Sequence, residues 1–469
     1  MLTDRQHDEL AAHDQTHVLK FWDELDEAGR QKLAGQIGDV DLDQLATLIA
    51  DEDDKPDFAA LAAEAQPPRA VGADGSGVDW SVDQATDAGE QALREGKLAA
   101  IVVAGGQGTR LGFDKPKGMF PIGPVSRRTL FQVFADRILA TSRRYGVTIP
   151  LYVMTSDATD AETRRYFREN DDLGLPADSV RIFKQGTMPA VDAETGKLLL
   201  AAKDSLALSP DGHGGTVKAL SAGGCLADMR DRGIEHLFYF QVDNPLVQLL
   251  DPTFIGHHLL SGSELTSQVV RKRYPGERVG NVVEVDGRMR VIEYSDLPEA
   301  AAEATDADGS LRLWAGSIAV HVFDVDFLRR ASQSAAALPF HRALKKVPFV
   351  DPSGRPVRPD QPNAIKFEKF IFDLLPAARN GIVVEVLPAD AFAPVKNAEG
   401  AETDTAGLAK QAMSDLHAHW IRAAGGRVDD GVLVEISPFF AIDSKTCQAS
   451  PLAGLHVTAN QFFDKAVDL

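Results

Sequence analysis

The sequence predicts an α/β fold in which a mostly parallel sheet carries helices on both faces. From residue 97 onward, apolar runs rich in β-branched residues alternate with segments of helical periodicity. Strands that are separated by helices form parallel sheets, because two parallel strands need a crossover connection. Residues 1–96 show apolar positions at helical spacing only. They are therefore expected to form a helical N-terminal subdomain.

The individual elements follow from the same patterns. The first subdomain contains a loop rich in proline and glycine at 67–77. Thr129 is a typical helix-capping residue, and the apolar spacing after it predicts a helix over 129–144. Further helices are expected at 159–170, 216–231, 365–379 and 408–424. Strands are expected at 98–103, 150–155, 180–183, 236–242, 267–271, 281–285, 290–294, 316–322 and 382–387.

Length and composition limit the classes of function. The chain has 469 residues, enough for two or three domains, and a net charge of −20 that argues against a nucleic-acid partner. No apolar run approaches the ~20 residues of a membrane span, so no membrane partner is expected. The N-terminus lacks an apolar signal segment. With only two cysteines, Cys225 and Cys447, the chain is expected to be cytoplasmic.

A glycine-rich turn follows the first strand of the α/β region. Glycine lets backbone N–H groups come close to a phosphate, where a Cβ would obstruct. Arg110 and Lys117 add positive charge beside this turn, and the helix at 129–144 follows. Strand, turn, cations and helix together predict a site for a polyphosphate. The glycines are Gly105, Gly106, Gly108 and Gly112.

Two familiar phosphate-binding loops are excluded at this turn. A dinucleotide fingerprint that starts at Gly106 requires glycine at position 111, which is Leu111. A P-loop requires Ser or Thr after its lysine, and Lys117 is followed by Gly118. The first mismatch disfavours an NAD-linked oxidoreductase.

Polar residues also follow other predicted strands. Asp243 comes after the strand at 236–242, and Thr155 and Ser156 end the strand at 150–155. Ligands of parallel sheets bind at the carboxyl ends of strands, so one crevice is expected to hold these residues and the glycine-rich turn. A carboxylate in this position is a candidate Mg²⁺ ligand. The alternative is that Asp243 merely closes the strand as an Asx-turn or helix cap.

Several blocks of sequence resemble one known family. The segment 104–112 (AGGQGTRLG), with Pro116-Lys117-Gly118, is similar to the signature of eukaryotic-type UTP:sugar-1-phosphate uridylyltransferases, and most of all to the UDP-N-acetylglucosamine pyrophosphorylase branch. The resemblance extends over residues 97–420. Further matching blocks are FKQGTMPA at 183–190, SPDGHGG at 209–215, QVDNPL at 241–246, EYSDLP at 293–298, PNAIKFEKFIFD at 362–373 and APVKNAE at 393–399.

The resemblance carries implications for fold and activity. It implies a Rossmann-like fold of the nucleotide-diphospho-sugar transferase type over 97–405 and a small β-rich C-terminal domain over 406–469. It implies a uridylyltransferase that converts UTP and a sugar-1-phosphate into a UDP-sugar and pyrophosphate, with Mg²⁺ or Mn²⁺ as cofactor. The sugar phosphate attacks the α-phosphorus directly, so catalysis requires positioning and charge neutralisation rather than an activated nucleophile.

Site residues are carried over by position in the matching blocks. Arg110 is expected to hold the β- and γ-phosphates, Lys117 the α-phosphate, and Lys396 another nucleotide phosphate, with Asp243 beside the metal. Gln185 would face the uracil edge, since an amide both donates and accepts. The complete nucleotide-binding set is Val103, Ala104, Gly105, Gly106, Lys117, Gln185, Gly212 and Lys396, and the sugar-binding set is His213, Gly280, Glu293, Ser317 and Lys366.

The identity of the sugar depends on a few positions. N-acetylglucosamine enzymes usually carry Asn where His213 and Ser317 stand here. N-acetylglucosamine-1-phosphate is the expected substrate, and glucose-1-phosphate is the alternative substrate. A further alternative is that the chain is a catalytically silent UDP-sugar-binding protein. The alternative for Lys366 is that it simply lies on a solvated helix face. Lys369 is an equally plausible surface residue beside it. Outside the motifs, the adjacent His257 and His258 are expected to be partly exposed structural histidines.

Overall fold

The structure is a computed structural model that describes residues 2–50, 57–334, 338–450, 452 and 454–464. The α-helices are α1 Asp4–Ala12, α2 Glu27–Asp39, α3 Leu42–Ala50, α4 Phe58–Glu64, α5 Val82–Arg94, α6 Leu130–Tyr145, α7 Asp160–Glu169, α8 Thr216–Ala222, α9 Cys225–Asp231, α10 Pro252–Ser261, α11 Glu299–Ala302, α12 Val325–Ser332, α13 Pro388–Ala391, α14 Ala406–Ala423 and α15 Ser444–Gln448.

The strands alternate with these helices through most of the chain. They are β1 Ala70–Val71, β2 Leu98–Val103, β3 Leu151–Thr155, β4 Val180–Lys184, β5 Thr187–Pro189, β6 Val191–Asp192, β7 Leu200–Ala202, β8 Ser205–Leu206, β9 Leu208–Pro210, β10 His236–Gln241, β11 Leu265–Arg271, β12 Gly280–Val285, β13 Arg288–Ile292, β14 Ala315–Asp324, β15 His341–Lys345, β16 Phe349–Val350, β17 Pro356–Val357, β18 Ala364–Glu368, β19 Ile382–Glu385, β20 Arg427–Val428, β21 Val434–Ile436, β22 His456–Val457 and β23 Gln461–Phe463.

The chain folds into two compact units that interleave along the sequence. Unit 1 comprises Met1–Asp57, Gln185–Lys218 and Ala335–Asp373. Unit 2 comprises Phe58–Lys184, Ala219–Ser334 and Leu374–Leu469. The three domains expected from the sequence, 1–96, 97–405 and 406–469, stay a prediction.

A large mixed sheet forms the centre of unit 2. Its strand order is β1-β19-β11-β14-β10-β2-β3-β4, and β12 and β13 extend it beside β14. All pairings along this order are parallel except those of β14, which runs antiparallel to both β10 and β11. This is the mixed, mostly parallel α/β sheet that the sequence predicts, and that prediction is confirmed.

The helix after the glycine-rich turn shows how local sequence builds this unit. The Thr129 side chain accepts a hydrogen bond from the Gln132 N–H, and Gly146 ends α6 in a left-handed conformation at φ 69°. The apolar face of α6 packs on the sheet, with the Phe134 and Phe240 rings 4.9 Å apart. The predicted helix at 129–144 is therefore confirmed, as are the predicted strands of the sheet.

Two predicted helices differ from the structure. The segment 365–379 forms strand β18 and then a 3-10 turn, because β18 pairs with β15 and β6 and Pro376 cannot continue an α-helix. The helix expected at 216–231 is divided into α8 and α9 at Gly223 and Gly224. Gly224 adopts φ 68°, a left-handed conformation that interrupts a helix.

Unit 1 buries the apolar faces of α1, α2 and α3. Leu10 and Leu33 are fully buried in a cluster with Val191, Leu198 and Phe367. The short strands of this unit form one three-stranded sheet, β15-β18-β6, and three pairs, β5–β9, β7–β8 and β16–β17. The helical periodicity of the N-terminal region is confirmed by α1 to α5.

The C-terminal part of unit 2 contains α14 and four short strands. β20 pairs with β22 and β21 with β23, both in parallel. Among the described residues, no helix combines the length and the apolar character that crossing a membrane requires.

Candidate active site

The glycine-rich turn after β2 is held by backbone hydrogen bonds. The Lys117 N–H donates to the Gly106 carbonyl over 3.0 Å, and the Gly108 N–H donates to the Lys115 carbonyl over 2.9 Å. The hydroxyl of Ser156, which follows β3, donates to the Gly105 carbonyl over 2.7 Å. A Cβ at Gly108 would lie 2.7 Å from the Phe113 carbonyl oxygen, so the turn closes only with glycine at that position.

Lys117 is a largely buried lysine that follows the glycine-rich turn. Its Nζ donates to the Val395 carbonyl over 3.2 Å and lies 3.8 Å from Asp243 Oδ2. Only 16% of the Lys117 side chain and 14% of the Asp243 side chain are exposed. Burial lowers the pKa of Lys117, Asp243 opposes this shift, and Lys396 and Arg110 add to it. Three cations therefore lie near enough to influence one another, as a site for several phosphates requires.

Asp243 and Asn244 have separate tasks at the end of β10. Asn244 Oδ1 accepts from the N–H groups of Leu246 and Ala393, and its Nδ2 donates to the Ala391 carbonyl over 2.7 Å. These bonds close the strand, which is the role proposed above as the alternative for Asp243. The Asp243 carboxylate instead faces Lys117.

Asp404 is a second carboxylate at this place, and the sequence motifs do not include it. Its carbonyl accepts from the N–H groups of Lys396 and Asn397 over 2.8 and 3.0 Å, and the Val395 N–H donates to the Asp243 carbonyl over 2.8 Å. The segment carrying Lys396 is thereby fixed between the two aspartates. Burial raises the pKa of Asp404, with Lys396 opposing this and Asp243 contributing. Asp404 lies outside every recognisable block, so no sequence signal identified it.

A carboxylate pair beside three cations can hold a hard metal ion together with phosphate oxygens. Mg²⁺ prefers oxygen ligands and is usually bound by one or two carboxylates plus substrate phosphates. Asp243 and Asp404 supply such oxygens, and their side chains act on each other electrostatically. The donor set therefore fits a magnesium ion.

The predicted sugar-binding residues of unit 2 lie side by side. Gly280 on β12 is the register partner of Ser317 on β14, and a Cβ at Gly280 would lie 3.1 Å from Glu293 Oε1. Ser317 Oγ accepts from the Ala319 N–H over 3.3 Å, where Ala319 takes a left-handed φ of 55°. The structure thus brings Gly280, Glu293 and Ser317 together.

Other predicted residues form a group within unit 1. Gln185 precedes β5 and Gly212 follows its antiparallel partner β9, so both lie at one end of this pair. The Asp211 N–H donates to the Gly186 carbonyl over 3.1 Å and links the two. Gly212 has φ 83°, and a Cβ there would lie 2.4 Å from the Lys369 carbonyl oxygen, so no other residue fits.

His213 is a neutral, packed side chain. Its Nδ1 accepts from the Ile371 N–H over 3.1 Å, and its ring lies beside Phe370 and Phe372. Burial lowers the pKa of His213 to about 4, and His341 adds to this shift. His213 is therefore uncharged at neutral pH.

Lys366 and Lys369 differ from expectation in their surroundings. Lys366 lies on strand β18, opposite Ala343, and not on a helix. Lys369 is not a plain surface residue, because its Nζ lies 4.2 Å from the centre of the Phe340 ring. Burial lowers the pKa of Lys369.

Comparisons with known proteins show the family of the chain. Residues 74–449 match the family described as UTP–glucose-1-phosphate uridylyltransferase. The chain belongs to this family. The UDP-N-acetylglucosamine pyrophosphorylase of Saccharomyces cerevisiae is 40% identical over 357 residues, covering 74% of the chain and 75% of the yeast protein. A human protein, UDP-N-acetylhexosamine pyrophosphorylase-like protein 1, is 39% identical over 430 residues, covering 89% of the chain and 85% of the human protein.

A solved structure gives the same result for the fold. The uridine diphosphate N-acetylglucosamine pyrophosphorylase of Trypanosoma brucei, in complex with an inhibitor, superposes with a TM-score of 0.82 at 26% identity and covers 98% of the chain and 99% of its own. The resemblance noted from the sequence motifs is thereby confirmed, together with the fold. The enzyme class, a uridylyltransferase that uses UTP, is confirmed by membership of the family.

Proposed function

We propose that the chain transfers the uridylyl group of UTP to N-acetylglucosamine-1-phosphate and releases pyrophosphate. The observation that carries the proposal is the contact of Lys117 with Asp243 beside the glycine-rich turn, within reach of the charges of Arg110 and Lys396. This combination neutralises a triphosphate in a protein whose net charge is −20. The name of the yeast relative supports the choice of sugar.

Each cation has its own part in the proposed reaction. The phosphate of the sugar attacks the α-phosphorus in line, and pyrophosphate leaves. Lys117, largely buried against Val395 and Asp243, stabilises the charge that develops at the α-phosphate. Arg110 and Lys396 hold the phosphates that depart. The attacking oxygen is already deprotonated at neutral pH, so no general base is required, and the neutral His213 is not one.

Asp243 would hold the metal ion of the reaction, with Asp404 beside it. Members of such families are typically metal-dependent, and Mg²⁺ fits the oxygen donors present, with Mn²⁺ as a substitute. A bound Mg²⁺ would neutralise phosphate charge during transfer. Asp243 and Asp404 would hold this ion near the end of β10, where the Asn244 side chain bonds to the backbone of Ala391 and Ala393.

The nucleoside and the sugar are assigned to the remaining residues. Val103, Ala104, Gly105 and Gly106 would line the nucleotide, Gln185 would pair with the uracil edge, and Gly212 would let backbone approach the base. Glu293 would accept hydrogen bonds from sugar hydroxyls beside Gly280 and Ser317, since the three lie together. His213 and Lys366 complete the proposed sugar-binding set. The cytoplasmic location stays a prediction from composition.

Glucose-1-phosphate is the second candidate substrate. Ser317 is shorter than the asparagine common in N-acetylglucosamine enzymes, and its Oγ already accepts from the Ala319 N–H. Contacts with the hexose would therefore change or pass through water. A silent UDP-sugar-binding protein is disfavoured, because Arg110, Lys117 and Asp243 are all present.

Pyrophosphate release tests the proposal directly. The purified chain is mixed with UTP, Mg²⁺ and N-acetylglucosamine-1-phosphate, and each component is omitted in turn. Release is expected only in the complete mixture. In a parallel thermal-shift measurement, UTP with Mg²⁺ should raise the melting temperature and NAD should not. Stabilisation by NAD alone, or release without a sugar phosphate, would contradict the assignment.

A further inference from the structure

His236, His258 and Asp324 converge at the end of the central sheet that lies away from Asp243. His236 begins β10, Asp324 ends β14, and the two are register partners. His258 comes from α10. His236 Nδ1 lies 2.9 Å and His258 Nε2 lies 3.0 Å from Asp324 Oδ1, and the two nitrogens are 3.3 Å apart. Three potential ligand atoms from three elements thus form one small triangle.

Hydrogen bonds can account for at most two of these three short distances. If both ring nitrogens donate to Asp324 Oδ1, each carries a hydrogen and neither accepts from the other. If His258 donates to His236 Nδ1, that nitrogen has no hydrogen left for Asp324. A single cation at the centre is bound by all three atoms at once.

The dimensions suit a tetrahedral ion. Zinc bonded at ~2.1 Å spaces its ligands by roughly 3.4 Å. The three observed separations of 2.9, 3.0 and 3.3 Å need only a slight expansion to reach that value. Two imidazoles and one carboxylate are ligands that zinc accepts, with a water in the fourth position. The Asp324 side chain is 32% exposed, so that water has access, whereas His258 is only 1% exposed.

The surroundings of His258 also fit a metal ligand. Its Nδ1 lies 2.9 Å from Thr266 Oγ1 on β11. When Nδ1 carries the hydrogen and donates it to this hydroxyl, Nε2 carries the lone pair that a metal ion binds. Ligating histidines usually make such a second hydrogen bond, which fixes the tautomer and the ring. The neighbouring His257 differs: its Nδ1 accepts from Trp80 Nε1 over 2.9 Å. Both histidines are buried, not partly exposed as the sequence suggested.

We propose that His236, His258 and Asp324 form a structural site for one divalent ion of the zinc class, which fastens α10 to the ends of β10 and β14. The site is independent of the magnesium proposed at Asp243. Asp243 lies seven positions after His236 along β10 and its end, or roughly 20 Å at the rise of an extended strand. Binding there acts on stability and not on phosphate chemistry.

Zinc content and zinc affinity of the purified chain test the site. The chain is first freed of metal by chelation and dialysis, and Zn²⁺ is then titrated calorimetrically. The zinc-loaded chain is desalted, and zinc per chain is measured by elemental analysis. About one zinc per chain and a raised melting temperature are expected. His258→Gln should retain less than roughly a tenth of the zinc, because a three-ligand site loses one ligand. His257 is a buried histidine at the preceding position, so His257→Gln is the matched control and should bind zinc as the unaltered chain does.

Two further variants keep the test decisive if His258→Gln fails to fold. Asp324→Asn changes a partly exposed side chain and should also abolish zinc binding. Thr266→Val should keep the stoichiometry but weaken affinity by roughly 10- to 100-fold, through the lost hydrogen bond to Nδ1. Absence of zinc binding by the unaltered chain would overturn the proposal. Equal zinc binding by His258→Gln and His257→Gln, or by Asp324→Asn and the unaltered chain, would overturn it as well.

Discussion

Replacing Lys117 with methionine isolates the charge at the proposed reaction centre. Methionine keeps the length and apolar character of the stem and removes the ammonium. The Lys117 Nζ makes one hydrogen bond, to the Val395 carbonyl, and one ion pair at 3.8 Å to Asp243. The variant should therefore fold, with a change in unfolding free energy of about 1 kcal/mol.

The expected loss of turnover follows from the electrostatics. An ammonium ~3 Å from a phosphate oxygen, at an effective dielectric constant of ~20, interacts by roughly 5 kcal/mol. Part of this interaction is already present in the bound substrate and does not contribute to the rate. Loss of one preorganised donor typically costs about 2.7–4 kcal/mol, so kcat should fall by roughly 100- to 1,000-fold.

Steady-state pyrophosphate release is the assay, and Lys115→Met is the control. Lys115 is an exposed lysine of the same turn, so the control removes the same charge at nearly the same place in the sequence. It should stay within a few-fold of the unaltered enzyme. If Lys117→Met and Lys115→Met lose the same activity, the assignment of Lys117 to the α-phosphate is wrong.

The pH profile gives an independent check on the same residue. Burial lowers the pKa of Lys117 in the free protein. The ammonium is therefore lost at lower pH than in an ordinary lysine, and kcat/KM for UTP should decline on the alkaline side as pH rises through this lowered pKa. Lys117→Met should lack that decline.

Further predictions concern the metal, acid stability and helix packing. Asp243→Asn should lower turnover by roughly 100-fold or more and weaken the response to Mg²⁺, measured by titrating Mg²⁺ into the pyrophosphate assay. Burial lowers the pKa of His417 to about 3, below the ordinary value of ~6.5. The neutral ring therefore stabilises the fold fully above pH ~6.5. As pH falls further, the unfolded chain takes up a proton at this residue before the folded chain does, and this stability is lost. In urea unfolding, the loss of unfolding free energy between pH 7 and pH 5 should be about 2 kcal/mol smaller for His417→Asn than for the unaltered chain. Gly256→Ala should destabilise by roughly 1–3 kcal/mol or more, because its Cβ would lie 1.7 Å from the Ala85 carbonyl oxygen; Gly35→Ala, with open space around it, should stabilise. Equal melting temperatures for the two alanine variants would refute the close packing of α5 and α10.

Elements with a strong local signal could be predicted from the sequence. The apolar β-branched run 98–103 and the capped, amphipathic helix after Thr129 both formed as expected. The segment 365–379 did not, because its pairing with β15 and β6 depends on residues far away in the sequence, and such pairing overrides helical spacing. The antiparallel direction of β14 is likewise fixed by neighbours and not by its own composition.

The site divides in the same way. Residues within recognisable blocks, such as Lys117 and Asp243, were predicted, and the structure places them in contact. Asp404 was missed because it lies outside the matching blocks and its link to Asp243 is spatial. The triangle of His236, His258 and Asp324 was missed for the same reason, since no two of its members lie close in the sequence. A single sequence shows which residue types are present, but not which distant ones meet.

The substrate preference tests the central claim most directly. Pyrophosphate release is measured with UTP, Mg²⁺ and a series of sugar-1-phosphates, each at limiting concentration, and kcat/KM values are compared. The account predicts the highest value for N-acetylglucosamine-1-phosphate and no release without UTP. A higher value for glucose-1-phosphate would contradict the proposed sugar, and absence of release with every sugar phosphate would contradict the proposed transfer itself.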